Sequence, residues 1–135
     1  MQIGLAYRIT GIALAIQVAI GGLVTFGFLD ASAHIVWGVI VGVLAVLTLA
    51  TVAMMKPRPK RLFGITVGIG VDILIQALTG FAVLGTSSNT TLSNGIAWLH
   101  LLNAFALFAM SFAGMGMATM ASRMTQGTVP PSPAV

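Results

Sequence analysis

Between Asp30 and Lys56 the chain reads Ala31-Ser-Ala-His34-Ile-Val-Trp37-Gly38-Val-Ile-Val-Gly42-Val-Leu-Ala-Val-Leu-Thr-Leu-Ala-Thr-Val-Ala-Met-Met55, with no charged side chain along its length. About 20 predominantly apolar residues suffice for a helix to cross the hydrocarbon core of a bilayer. The stretch therefore predicts a transmembrane helix over 31–55. Lys56-Pro-Arg-Pro-Lys-Arg61 follows it and ends the apolar run with charge and proline together. Reading outward from this hairpin, residues 9–29 form an earlier uncharged run, 62–85 a third that contains Asp72, and 95–121 a fourth. Residues 87–94 read as a polar loop. The expected fold is an all-α membrane protein, a four-transmembrane-helix bundle occupying 1–123, with a disordered cytoplasmic tail over 124–135 that holds three of the five prolines.

Composition demands the same solvent. The chain is 58% hydrophobic and 6% charged, against about 25% charged in ordinary soluble domains. Eight charges cannot cover the surface of 135 residues in water, so the lipid bilayer is the first partner. The net charge of +4 comes from six basic residues scattered by depth, and nucleic acid is not an expected partner. Cysteine is absent, which excludes disulfides, thiolate metal sites and covalent c-type haem. Glutamate is absent too, leaving Asp30, Asp72, His34, His100 and Tyr7 as the groups available for acid–base chemistry.

Lysine and arginine accumulate on the cytoplasmic side of membrane proteins. Arg8, the four basic residues of 56–61 and Arg123 all fall on one side of a four-span zigzag. An up-down-up-down bundle in the cell membrane with both termini cytoplasmic is the expected topology. Arg8, the first apolar stretch and Ala31-Ser-Ala33 resemble a signal peptide with its cleavage site, but the apolar core is too long for one.

The first and third spans match at an offset of 53 residues. Arg8, Gly11, Ile12, Ile16, Val18, Ile20, Gly27 and Phe28 fall on Arg61, Gly64, Ile65, Ile69, Val71, Ile73, Gly80 and Phe81. The second and fourth spans then align at His34 and His100. Two similar helical hairpins are expected, related by an axis along the membrane normal.

His34 and His100 are the chain's two histidines, and this alignment puts both near the outer face. Each could supply one axial nitrogen to a shared haem iron, as in membrane bundles that carry electrons. His34, Gly38 and Gly42 lie on one helical stripe, and His100 is followed by Ala104 and Phe108. Small residues at Gly38, Gly42 and Ala104 would leave room for a flat macrocycle. They would serve equally as ordinary helix contacts in a bilayer, with the histidines as interfacial groups. A non-haem metal is less well served, since two ligands fall short of the usual three or four. Asp72, with Gln76 one turn away, reads either as a proton relay or propionate partner, or as an Asp–Gln link between helices. Trp37 and Trp98 are expected in the outer aromatic belt. Asn89-Thr-Thr91 is a formal glycosylation triplet in the outer loop.

Gln17-Val-Ala-Ile-Gly-Gly-Leu-Val-Thr25, His34-Ile-Val-Trp-Gly38 and Leu99-His-Leu-Leu-Asn103 resemble the first, second and fourth helices of the haem A synthase family. Members usually have eight helices in two four-helix halves, each half with paired histidines on its second and fourth helices. The chain resembles one half over residues 8–120. The resemblance implies His34 and His100 as ligands of haem, b-type or haem O or A, and oxidation of haem O to haem A as the enzyme reaction. The family's second helix carries a glutamate three residues before its histidine, where this chain has Ala31. Asp30 stands one residue further off, about 100° around a helix, and is the one acid near the proposed reaction. The cysteine pair of many members is missing. A half-size chain would reach two haem sites as a homo-oligomer. Otherwise it is expected to be a one-haem cytochrome b-type subunit, or a haem-free accessory subunit, of a larger respiratory membrane complex.

Overall fold

The computed structural model describes residues 3–85 and 91–126, with the side chains of 123–126 excepted. Four helices account for nearly all of it: α1 (Ile3–Thr25), α2 (Ala31–Ala53), α3 (Lys60–Gly85) and α4 (Thr91–Gln126). All four are long and apolar enough to cross a membrane.

The termini of these helices differ from the sequence expectation in ways that local chemistry explains. The first helix begins at Ile3 rather than residue 9, so Arg8 lies inside it. An arginine near a helix end keeps its guanidinium in polar surroundings by extending its stem, so it need not end the helix. The same helix stops at Thr25 because Gly27 adopts φ +75°. Phe28 N–H then bonds Leu23 O at 2.8 Å, and Gly27 N–H bonds Val24 O at 3.0 Å. This is the paired closure of a Schellman turn, which favours glycine at the left-handed position. Asp30 caps α2 by accepting from Ser32 N at 2.8 Å. At the far end of α2, Arg58 Nε donates to Ala53 O at 3.1 Å, and its guanidinium lies 4.8 Å from the centre of the Phe63 ring. The fourth helix starts at Thr91, inside the stretch expected as a loop, and continues to Gln126, past the expected start of the tail at 124. Asn89 and residues 127–135 lie outside the described residues.

The helices close into a ring, with α1 beside α2, α2 beside α3, α3 beside α4 and α4 beside α1. A thin core fills the centre, and large apolar side chains such as Ile12, Val36, Leu74 and Phe105 point outward. Helices that are apolar all round carry little amphipathic signal, so burial and not hydropathy defines the inner face.

That inner face corrects the repeat register. The buried residues Ile3, Tyr7, Thr10 and Ala13 of α1 correspond to Leu62, Thr66, Ile69 and Asp72 of α3, an offset of 59 and not 53. Val41, Ala45, Thr48 and Val52 of α2 correspond to Leu107, Ser111, Gly114 and Ala118 of α4, an offset of 66. The 66-residue offset is the one that pairs His34 with His100. The 53-residue match fails because six residues turn a helix about 240°, which puts Tyr7 opposite the exposed Lys60.

Hydroxyl groups fasten the half of the core away from the histidines. Tyr7 hydrogen-bonds Thr66 across the bundle, and Thr10 bonds Thr48 at 2.9 Å. Interhelical bonds of this kind are worth about 0.6 kcal/mol on average in bilayers. Trp37 turns inward, not toward the aromatic belt expected for it, and donates Nε1–H to Ala13 O at 2.9 Å. Trp98 is exposed.

Candidate functional site

His34 is the fourth residue of α2 and His100 the tenth of α4, and the two helices are not direct neighbours in the ring. Their imidazoles nevertheless meet, with centroids 6.1 Å apart and planes inclined at 67°. Each ring is held by the helix preceding its own. Gln17 of α1 places its Nε2 3.2 Å from His34 Nε2, and Gln76 of α3 places its Nε2 3.1 Å from His100 Nε2.

Fixed acceptors determine which way these amides point. Gln17 Nε2 also reaches His34 O at 3.1 Å. A carbonyl can only accept, so the nitrogen of Gln17 must face it. Asn103 Nδ2 likewise faces Asp72 O at 3.3 Å and donates to Gln76 Oε1 at 2.8 Å, which leaves Gln76 Nε2 directed at His100. Both histidines therefore accept at Nε2 and carry their proton on Nδ1. That neutral tautomer puts on Nε2 a lone pair of the kind a metal ion takes, and in each ring a glutamine amide donates to it.

The two Nδ1–H groups are treated differently. His100 Nδ1–H donates to Thr79 Oγ1 at 3.0 Å, and the Thr79 hydroxyl passes its own proton to Ile75 O at 2.9 Å. Asn103, Gln76, His100 and Thr79 keep no buried side-chain N or O without a partner among the described residues. Around His34, Nδ1 and Gln17 Oε1 are both buried without a partner among the described residues. Each such atom costs about 1–3 kcal/mol.

Glycine faces both rings. A Cβ on Gly21 would stand 2.9 Å from His34 Cε1, and one on Gly80 would stand 3.0 Å from His100 Cε1. Gln17 and Gly21 repeat as Gln76 and Gly80 at the offset of 59, within Gln17-Val-Ala-Ile-Gly21 and Gln76-Ala-Leu-Thr-Gly80. The repeated Gln-x-x-x-Gly was the signal that could have exposed the ring supports in the sequence. Nothing comparable marks Thr79 or Asn103, whose repeat partners are Ile20 and Trp37.

Among the other expected site residues, Gly38 gives its space to Gln17, since a Cβ there would lie 3.2 Å from Gln17 Nε2. Gly42 has open space where a Cβ would stand, and Ala104 is partly buried. Asp30 is solvent-exposed, and its hydrogen bonds with Ser32 hold its carboxyl below the usual carboxylate range. Asp72 is 9% exposed, bonds Asn103 and keeps a buried Oδ2 without a partner among the described residues. The expected Asp–Gln link is not formed, because Gln76 turns its amide to His100 and Asn103. Tyr7 is buried against Thr66 and Gly114, among the residues that pack the other half of the core.

Among the described residues no group of three or more His, Cys, Asp or Glu could hold a metal ion, so the histidine pair offers two nitrogens. No protein-family model, curated protein or solved structure matches the chain.

Proposed function

We propose that this chain is a haem-binding multi-pass protein of the cell membrane, with His34 and His100 as the two axial ligands of one b-type haem. The observation that carries the reading is the meeting of the two imidazoles at 6.1 Å. Rings on opposite sides of one metal ion need centroids about 6 Å apart, given metal–nitrogen bonds of about 2 Å. The donor set fits as well. Two neutral imidazoles with no third protein ligand suit an iron whose other four positions are filled by a macrocycle. Haem bound in this way supplies a one-electron redox couple. The chain's residues seat the rings: Thr79 accepts from His100 Nδ1–H, and Gly21 and Gly80 let each imidazole lie against a helix backbone, while the Gln17 and Gln76 amides on the two Nε2 atoms would give way to the iron.

Electron transfer is favoured over oxidation of haem O to haem A. Asp30, the acid expected to serve that oxidation, is instead exposed and spends its carboxylate on capping α2 through Ser32 N. The chain is best read as a one-haem cytochrome b-type subunit, akin to half of a haem A synthase, in a homo-oligomer or a larger respiratory complex. Its helices run up-down-up-down with both termini cytoplasmic. The basic residues at 8, 56–61 and 123 support that orientation, and the pairing of Thr10 with Thr48 and of Gln17 with His34 fits α1 and α2 running antiparallel.

The test is a reduced-minus-oxidised spectrum and haem extraction on protein purified in mild detergent. A low-spin b-type signal, altered in His34→Ala and His100→Ala, is expected. Folded protein that takes up no haem when supplied with it would overturn the reading.

A further inference from the structure

The geometry points to unequal ligands: His100 is the fixed partner of the haem and His34 an exchangeable one, which a small neutral molecule can displace. The inference rests on the haem reading and adds a ligand-binding position to it. A metal-bound histidine is held in place, and made more basic, by an acceptor for its other ring nitrogen. His100 has that acceptor in Thr79 Oγ1 at 3.0 Å, backed in turn by Ile75 O. His34 has no such acceptor. Its Nδ1 is buried without a partner among the described residues, as is the Oε1 of the glutamine that meets it.

The difference between the halves comes down to one pair of residues. At the offset of 59, Ile20 stands where the second half has Thr79, so a hydrocarbon replaces the acceptor hydroxyl.

The experiment loads the full chain and its variants with protohaem in detergent and uses carbon monoxide as the probe of the reduced form. Wild type should bind carbon monoxide at the His34 position. His34→Ala should keep haem in a high-spin state and bind the probe at least as well. His100→Ala should lose most of its haem, and Thr79→Val should weaken haem binding about 10–100-fold, the usual range for an outer-shell partner, with rescue by Thr79→Ser. Ile20→Thr supplies the missing acceptor, and it should slow or abolish carbon monoxide binding without loss of the low-spin spectrum. Equal haem loss in the two histidine variants, or retention by His100→Ala and loss by His34→Ala, would overturn the assignment while leaving the haem site standing. An Ile20→Thr protein that binds carbon monoxide as wild type does would overturn it also. Failure of wild type to take up haem would remove the haem reading itself, and this inference with it.

Discussion

Tyr7 of α1 packs its ring so closely on Gly114 of α4 that a Cβ at position 114 would overlap Tyr7 Cε1. Tyr7 cannot retreat easily, because its hydroxyl is bonded to Thr66 and its ring is 1% exposed. Gly114→Ala should therefore cost about 1–3 kcal/mol, the range for forcing extra volume into a packed core. Gly116→Ala is the control, since its Cβ would meet nothing within 4 Å. Thermal unfolding in detergent, followed by circular dichroism, should show a lowered midpoint for the first variant and not for the second. Equal midpoints would mean that α1 and α4 do not approach at this point.

Gly21→Ala and Gly80→Ala should each disturb one histidine. The added methyl would press on the Cε1 edge of the facing ring at 2.9 Å or 3.0 Å, and the imidazole would have to rotate away from its glutamine. Gly22→Ala places its methyl in open space and should leave the site intact. Haem stoichiometry and spin state after reconstitution separate the cases: lowered stoichiometry for Gly80→Ala, a high-spin fraction at full stoichiometry for Gly21→Ala, and neither change for Gly22→Ala. Wild-type stoichiometry and spin state in all three would show that the glycines are not there to seat the rings.

Asn103→Leu removes the donor to both Asp72 O and Gln76 Oε1. Gln76 Oε1 would then be left without its bond, at a cost of about 1–3 kcal/mol for a buried acceptor. The amide of Gln76 would also lose the contact that directs it to His100. The measurable outcome is a lower unfolding midpoint than in Leu101→Ala, a substitution on the exposed side of the same helix. Asn103→Leu as stable as wild type would mean that the bonds to Asn103 add nothing to the fold.

The absence of native cysteine lets topology be tested with single introduced thiols. With both termini cytoplasmic, Pro59→Cys should react with a membrane-impermeant maleimide only after the membrane is opened. Asp30→Cys, at the other end of α2, should react in intact cells. The reverse pattern would invert the orientation inferred from the basic residues.

Much of this molecule was legible in the sequence because the bilayer imposes a one-dimensional rule. A run such as 31–55 has to be a helix, since its backbone polar groups find no other partners in lipid. The Lys56–Arg61 segment has to lie outside the membrane, since the cost of burying its charges is too high. Those two arguments yield four helices and place the two histidines at matching points of the second and fourth. Gln17 and Gln76 could also be read as buried polar groups in need of partners.

What the sequence left open is which side of each helix faces in. In water that side is marked by hydrophobicity, but in lipid both sides are apolar, and identity counts weigh exposed and buried positions alike. The offset of 53 gathered its matches without regard to burial, and packing replaced it with 59, the value that aligns Tyr7 with Thr66 and Gln17 with Gln76. The supports of the two rings were hidden for the same reason. Gly21, Gly80, Thr79 and Asn103 are unremarkable residues in a membrane helix until a histidine from the next helix is brought against them. The sequence by itself determined the spans and the histidine pair, because those follow from the energetics of each residue in lipid. Only the tertiary structure decided the register of the halves and the unequal holding of His34 and His100, because those follow from contacts between helices.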